Sequence, residues 1–358
     1  MPALEIFYCL TLREEKNMLN KRKGCSNAVM CSLALIAFSG MTQAKDLTVY
    51  GKIHLSGDYI DNDAIKDYTI ASNSSRIGFK GDKKLKYGLT GVYKIESGID
   101  LEGESGTLSA RNRYAGLKHK DFGTVIGGYH DTPYKTFGKK AGVFADTIGD
   151  RRGVLGADGE GSNTFNTRGK KSVMYTSPNI SGVEVRAMWA TGAMKDGTND
   201  KDPLLSGSVV YKQKMFYVGA SYEDQKSKDA TGMRLGGGAI FGDTKVNLMF
   251  EKLSSDTDKL DRPAYGGSVS HKMGATTLKA HLFILGEYTD TDDSGAMLYA
   301  IGADHKLDKK VSMYAMIAGV SNQDNGAVNL AASGHGEKYT SAAGDSLMGA
   351  SVGMVYKF

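Results

Sequence analysis

From Lys45 onward apolar and polar residues alternate with a period close to two, and turn residues interrupt the alternation at short, regular intervals. In LTVYGKIHLSGDY, Leu47, Val49, Ile53 and Leu55 fall on one face, and Tyr50, Lys52, His54 and Ser56 on the other. That spacing predicts a strand with one apolar and one wet face. After a polar loop from Asp61 to Asn73, SSRIGFKGD sets Ile77 and Phe79 against Arg76 and Lys80. YGLTGVYKIESG, ARNRYAGLKH and GTVIGGYH continue the rhythm. Beyond Gly169 it resumes in KSVMYTS and GVEVRAMWA, where Val183, Val185, Ala187 and Trp189 share a face, and it runs on to SLMGASVGMVYKF. The pattern predicts about sixteen strands, an even number as a closed bacterial barrel requires. The expected fold class is all-β: a transmembrane antiparallel β-barrel with lipid outside and water inside.

The connections alternate too. Short turns at Phe241 to Asp243, Met273 to Ala275 and Leu307 to Lys309 would face the periplasm. The longer stretches Thr191 to Leu204, Ser254 to Ala264 and Val320 to Asp345 would face outside. Pro133, Pro178, Pro203 and Pro263 all fall in predicted loops or turns, where a missing donor harms no ladder. One connection breaks the rhythm: Asp131 to Gly169, roughly forty residues without alternation. Inside a closed barrel such a segment can fold inward and narrow the lumen. Its acidic residues Asp146, Asp150, Asp158 and Glu160 would then face the opposite wall. Arg76 and Arg111 lie opposite the apolar parity, so both are expected to point into water.

Bulk properties refine this picture. Gly 46 and Tyr 19 are high and Pro 5 is low, and no apolar run is long enough for a spanning helix. At the N-terminus, Lys21, Arg22 and Lys23 precede an apolar core from Ala28 to Met41 and a small-x-small end, Thr42-Gln43-Ala44. Residues 1–44 therefore resemble a cleaved export signal, with Met18 a better start than Met1 and residues 1–17 upstream of it. The barrel would occupy 45–358. All three cysteines, Cys9, Cys25 and Cys31, precede that region, which leaves it without disulfides, thiolate metal sites or cysteine nucleophiles. Removing five basic and three acidic residues lowers the formal charge from +5 to about +3, too weak to argue for nucleic acid.

Candidate chemistry is sparse. The seven histidines are scattered, with no HExxH and no Gly-x-Ser-x-Gly elbow. The run Asp290 to Gly295 hints at a calcium loop, but Ile301 stands where its glutamate is needed. Neither a metal nor another cofactor is expected. A hydrolase assembled across strands, or an adhesive barrel, remains the alternative.

Five stretches together, LTVYGK at 47–52, SRIGFKG at 75–81, RYAGLK at 113–118, YTSPNISG at 175–182 and the terminal Phe358, resemble the Gram-negative general diffusion porins, trimeric outer-membrane pores. The resemblance spans 45–358. It implies that the insert after the fifth strand folds into the barrel and that its acidic residues face a basic wall. Carried over by position, the wall would be Lys52, Arg76, Arg111, Arg113 and Arg168, and the facing carboxylates Asp146 and Asp150 in FADTIGD. AGVFADTIGD departs from the Pro-Glu-Phe-Gly-Gly form of the commonest enterobacterial members and looks like the variant of other proteobacterial porins. The resemblance further implies a homotrimer in the outer membrane, surrounded by lipid and lipopolysaccharide. It would pass ions and small hydrophilic solutes, filtered by size and by a transverse field. The terminal aromatic pattern around Phe358 resembles the signal read by the barrel assembly machinery. With five acidic and six basic residues between Asp131 and Arg168, composition leaves the sign of ion selectivity open.

Overall fold

A computed structural model describes residues 46–358 except 62–65, 104–107, 158–164, 192–202, 256–260, 332–333, 338 and 340–341. The export segment 1–44, most of the loop after Thr191, and Asp158 and Glu160 lie outside the described residues. Strands run over β1 (Thr48–Asp61), β2 (Lys66–Ser72), β3 (Arg76–Lys84), β4 (Leu89–Gly98), β5 (Ser109–His119), β6 (Gly123–Asp131), β7 (Arg168–Thr176) and β8 (Val183–Ala190). They continue over β9 (Leu204–Lys212), β10 (Phe216–Gln225), β11 (Ala230–Phe241), β12 (Thr244–Ser255), β13 (Arg262–Met273), β14 (Thr276–Leu285), β15 (Ala296–Lys306), β16 (Val311–Asn322) and β17 (Leu347–Lys357). A short helix, α1 (Pro133–Gly138), lies in the insert.

From β3 to β17 each strand pairs antiparallel with the next, and β17 pairs with β1 to close the barrel. The closing seam is tied by Gly51 N–H to the Phe358 carbonyl at 3.0 Å and Phe358 N–H to the Gly51 carbonyl at 3.2 Å. β2 and β3 both pair with β1, over Leu55–Asp61 and Thr48–Lys52 respectively, so they are two halves of one stave. Ser74, at φ 50, bends the chain between them. The barrel thus has sixteen staves, the number the alternation predicts.

Burial is inverted relative to a protein packed for water. Outward-facing Val49, Leu235, Leu248, Ile301, Ile317 and Val352 are exposed, whereas inward-facing Glu223, Arg234, Glu251 and Arg262 are fully buried. At about 25 cal/mol per Å² of apolar surface, such a face is stable only against lipid. Tyr175, Trp189, Tyr211, Tyr222 and Tyr356 stand on the same outer face, as an interfacial aromatic girdle needs. Pro263 is the second residue of β13 rather than a loop residue, which a strand's beginning tolerates.

The insert between β6 and β7 folds inward. Thr132 caps α1, its Oγ1 accepting from Lys135 N–H at 3.1 Å, and Pro133 opens the helix where no donor is missed. Phe144, Ile148, Val154 and Leu155 of the insert pack in one core with Phe283, Leu285, Leu298, Ala300, Ala318 and Val320 on the barrel's inner face. A Cβ on Gly149 would meet the side chains of Ala300, Met316 and Ala318 within 3.1 Å, so the backbone touches the wall there. Where the insert covers them, at Phe283, Leu285, Leu298, Ala300, Met316 and Ala318, the inner faces of β14 to β16 are apolar although the alternation predicts a polar lumen; beyond that stretch Lys279 and Asp304 pair on the inner face as the alternation predicts. The connection after β16 differs as well. It was expected outside, yet Val328, Leu330, Ala331 and Tyr339 join the same core, and Ala331 N–H donates to the Ile148 carbonyl at 2.9 Å. Its apolar residues Val328, Leu330 and Ala331 gain by covering the insert.

Candidate functional site

The basic wall is organised by a bulge. β4 and β5 are in register at Ile95 opposite Arg113 and again at Ser97 opposite Ala110, so Glu96 alone faces both Arg111 and Asn112. Such a two-against-one arrangement re-aims side chains. Glu96 is buried and gathers the cations: Arg111 Nε donates to Oε1 at 2.8 Å, Lys94 Nζ lies 3.2 Å from Oε2, and Arg76 Nε 3.9 Å from it. Tyr50 Oη donates to the same Oε2 at 2.8 Å.

Asn112 extends the array toward the insert. Its Oδ1 accepts from Asp131 N–H at 3.1 Å and from Arg168 Nε at 3.2 Å. The Asp131 carboxylate holds Arg168 at 3.0 Å, Lys135 at 3.1 Å and Lys139 at 2.5 Å. Lys135 and Lys139, four residues apart, present their ammonium groups on one side of α1. Burial drives the Lys135 ammonium down to a pKa of about 7, against the opposing pull of Asp131.

A second turn of the insert supplies the rest. Asp150 caps the 3-10 turn Arg151–Gly153, accepting from Arg152 N–H at 2.9 Å. Arg152 Nη2 donates to Asp150 Oδ2 at 2.6 Å and to Asp146 Oδ1 at 2.8 Å. Asp146 sits in the left-handed region at φ 61, which aspartate tolerates better than most residues. Its Oδ2 accepts from Lys52 Nζ at 2.9 Å. Burial pushes the Asp146 carboxyl up, but Lys52 and Arg152 outweigh it and hold the group well below the usual carboxylate range. Between insert and wall lies a cavity of about 360 Å³, lined among the described residues by seven cations (Arg76, Arg111, Lys135, Lys139, Arg151, Arg152 and Arg168) and by one carboxylate, Asp146.

Of the residues singled out from sequence, Lys52, Arg76, Arg111, Arg168 and Asp146 come together here. Arg113 does not. The bulge turns it outward, where Nη2 donates to Ser97 Oγ at 2.9 Å. Asp150 lies behind the lining, buried beneath Arg151 and Arg152, and its ion pairs among the described residues are with these two arginines of the insert rather than with the wall. Sequence reasoning missed Glu96, Asn112, Lys135, Lys139, Arg151 and Arg152. The Arg151-Arg152 pair beside an Asp was visible, and Glu96 shares the inward parity of Lys94. Among the described residues no cluster of histidine, cysteine or carboxylate side chains is arranged to hold a metal.

On its far side the insert is clamped by a dry ion pair. Arg234 and Glu251 are direct cross-strand partners on β11 and β12, with Nε and Oε2 2.5 Å apart and both side chains fully buried. Tyr134 Oη donates to Glu251 Oε2 at 3.0 Å and Gly156 N–H to Oε1 at 2.7 Å. Arg234 Nη1 returns a bond to the Tyr134 carbonyl at 3.0 Å, with its guanidinium 4.0 Å from that ring's centre. Arg262 Nη2 adds a bond to the Val154 carbonyl at 3.1 Å. Wall charges thus reach both ends of α1 and the turn that follows.

Comparison with known proteins matches this architecture. The Gram-negative porin family profile aligns with residues 31–325. Outer membrane porin protein 32 of Delftia acidovorans is 26% identical, the alignment covering 92% of this chain and 99% of that one. The anion-selective porin from Comamonas acidovorans superposes with a TM-score of 0.74 at 22% identity, over 87% of this chain and 99% of that one. A trimer-form structure of OmpT, an outer membrane protein of Vibrio cholerae, superposes at 0.68 and 19% identity, over 87% and 99%. The chain belongs to the Gram-negative porin family: it is an outer-membrane barrel whose water-filled lumen serves passive diffusion.

Proposed function

We propose that Lys52, Arg76, Arg111 and Arg168 on the wall and Lys135, Lys139, Arg151 and Arg152 on the insert form an anion-preferring constriction. The observation that carries this is the imbalance of charge around the cavity. Among the described residues nine cations, Lys94 included, meet four carboxylates there, Glu96, Asp131, Asp146 and Asp150, and of these Asp146 reaches the cavity surface. The transverse field inferred from sequence is therefore uneven: a single carboxylate is surrounded by cations. An anion about 4 Å from one uncompensated charge gains about 1 kcal/mol in water and more where solvent is restricted. Several such weak contacts bias traffic without trapping ions. Fixed charges and oriented water also favour polar over apolar solutes, so small hydrophilic molecules would pass within the limit set by the insert.

The finer setting follows the relatives. We infer a homotrimer, as in the trimer-form neighbour, embedded among lipid and lipopolysaccharide. Residues 1–44 would direct export and be removed, and Phe358 would present the assembly signal. Membership of the porin family supports a channel over an enzyme. The test is conductance and solute flux. Purified protein in a planar bilayer should give current steps in groups of three. Proteoliposomes should swell faster in a small monovalent organic anion than in a neutral sugar of equal size. Equal swelling rates would remove the proposed charge filter while leaving the pore.

A further inference from the structure

A second cavity lies on the other side of α1. Lys135 and Lys139 line the constriction, whereas Thr136, Phe137 and Lys140 line this one, of about 230 Å³. It extends toward the short-turn end, where Asn179 and Gly182 of the β7–β8 turn and Lys212 at the end of β9 bound it. That corner is fixed by main chain. Lys212 N–H donates to the Gly182 carbonyl at 2.9 Å, and Gly182 N–H to Asn179 Oδ1 at 2.9 Å.

Its charge is again one-sided. Among the described residues Lys140, Arg186 and Lys212 line the cavity with one carboxylate, Glu184, and that is already taken by Arg186 at 2.9 Å. Among the described residues neither Lys140 nor Lys212 has a carboxylate at ion-pair distance. Lys140 is nonetheless held in place. Its ammonium stands 5.0 Å over the Tyr217 ring, and Tyr217 Oη donates back to the Lys140 carbonyl at 3.4 Å. Burial, and then the fields of Lys212 and Arg186, lower the Lys140 pKa against the opposing pull of Glu184. Two positioned ammonium groups and a guanidinium around a small cavity suit an oxyanion with several acceptors.

We propose that this cavity is a second anion subsite, on the periplasmic side of the constriction, for small multiply charged oxyanions such as phosphates. It rests on the anion-preferring reading of the constriction. The short helix separates the two sites, and Lys139 and Lys140 just past its end face one each, so an anion leaving Lys139 finds Lys140 on its next step. Adjacent sites of moderate strength speed exit by repulsion between successive ions.

Block of single-trimer currents by inorganic pyrophosphate, added to one chamber at a time in potassium chloride, tests this. From the short-turn side, the half-blocking concentration should rise by roughly tenfold in K140Q/K212Q, the effect of removing two nearby charges. From the loop side it should move by less than about twofold, because the constriction is met first. K140R/K212R should keep the sided block. An unchanged half-blocking concentration from the short-turn side, or an equal rise from both sides, would overturn the subsite. A cation-preferring reversal potential in the unmodified channel would remove the constriction reading as well, which separates the two failures.

Discussion

The insert meets the barrel through two sets of charges that behave oppositely. Toward β1, β3 and β5, Lys52 is buried against Asp146, while Arg76, Arg111 and Arg152 remain partly exposed and border a cavity where, among the described residues, cations outnumber carboxylates. Toward β11 and β12, Arg234 and Glu251 are matched one to one and are fully buried. An excess of wet charge can act on passing ions, whereas a balanced dry pair can act only on its neighbours. We therefore assign traffic to the first set and position to the second, and the two should separate under mutation.

The largest effect is expected at the dry pair. R234M leaves Glu251 buried without its partner, a loss of about 3–5 kcal/mol. It should lower the thermal unfolding midpoint and make the open current noisy as the insert loosens. R234M/E251M should recover much of that stability, since an apolar pair of similar size replaces a buried ion pair at little cost. If the double variant is as unstable as the single one, the pair does more than hold the insert.

Next comes the wet wall. R76S/R111S should raise conductance, admit larger sugars and cut the anion preference by roughly five- to tenfold, while the unfolding midpoint moves little. An unshifted exclusion limit would place these arginines away from the narrowest point. D146N and D150N should then part company. D146N removes a carboxylate from the cavity surface and should raise the anion preference about twofold. D150N removes a cap and should cost about 1 kcal/mol of stability with little change in selectivity. The reverse outcome would put Asp150, not Asp146, in the field.

The smallest effect concerns pH. Lys135 carries its charge below a pKa of about 7 and loses it above, so the cavity is more positive in acid. Between pH 6 and pH 8 the anion preference should fall by less than about twofold, and K135Q should abolish that change. A pH response that survives K135Q belongs to another group.

Much of this architecture is legible in period two. Lys52 against Ile53 and Arg76 against Ile77 announce which side is wet, and the long unpatterned insert announces what fills the lumen. What alternation hides is any departure from it. The bulge at Glu96 inserts one residue into β5, which turns Arg111 and Asn112 inward and reverses the side on which Arg113 was expected. The docking face of the insert was half visible. LFIL in β14 and the stretch around Leu298 and Ala300 lose their polar positions where both faces are covered, as continuous apolar strands do. Arg234 opposite Glu251 depends on a cross-strand register fixed by the Phe241 to Thr244 turn, which alternation alone does not pair. The charge balance of the insert misled for a simpler reason. Asp150 is spent on a turn and Asp158 and Glu160 lie outside the described residues, so counting charges says little about those that reach the cavity.

The reversal potential of the unmodified channel in a tenfold potassium chloride gradient tests the central claim most directly. A cavity lined by an excess of cations predicts current reversing toward the chloride potential, with chloride several times more permeant than potassium. Reversal toward the potassium potential would contradict it.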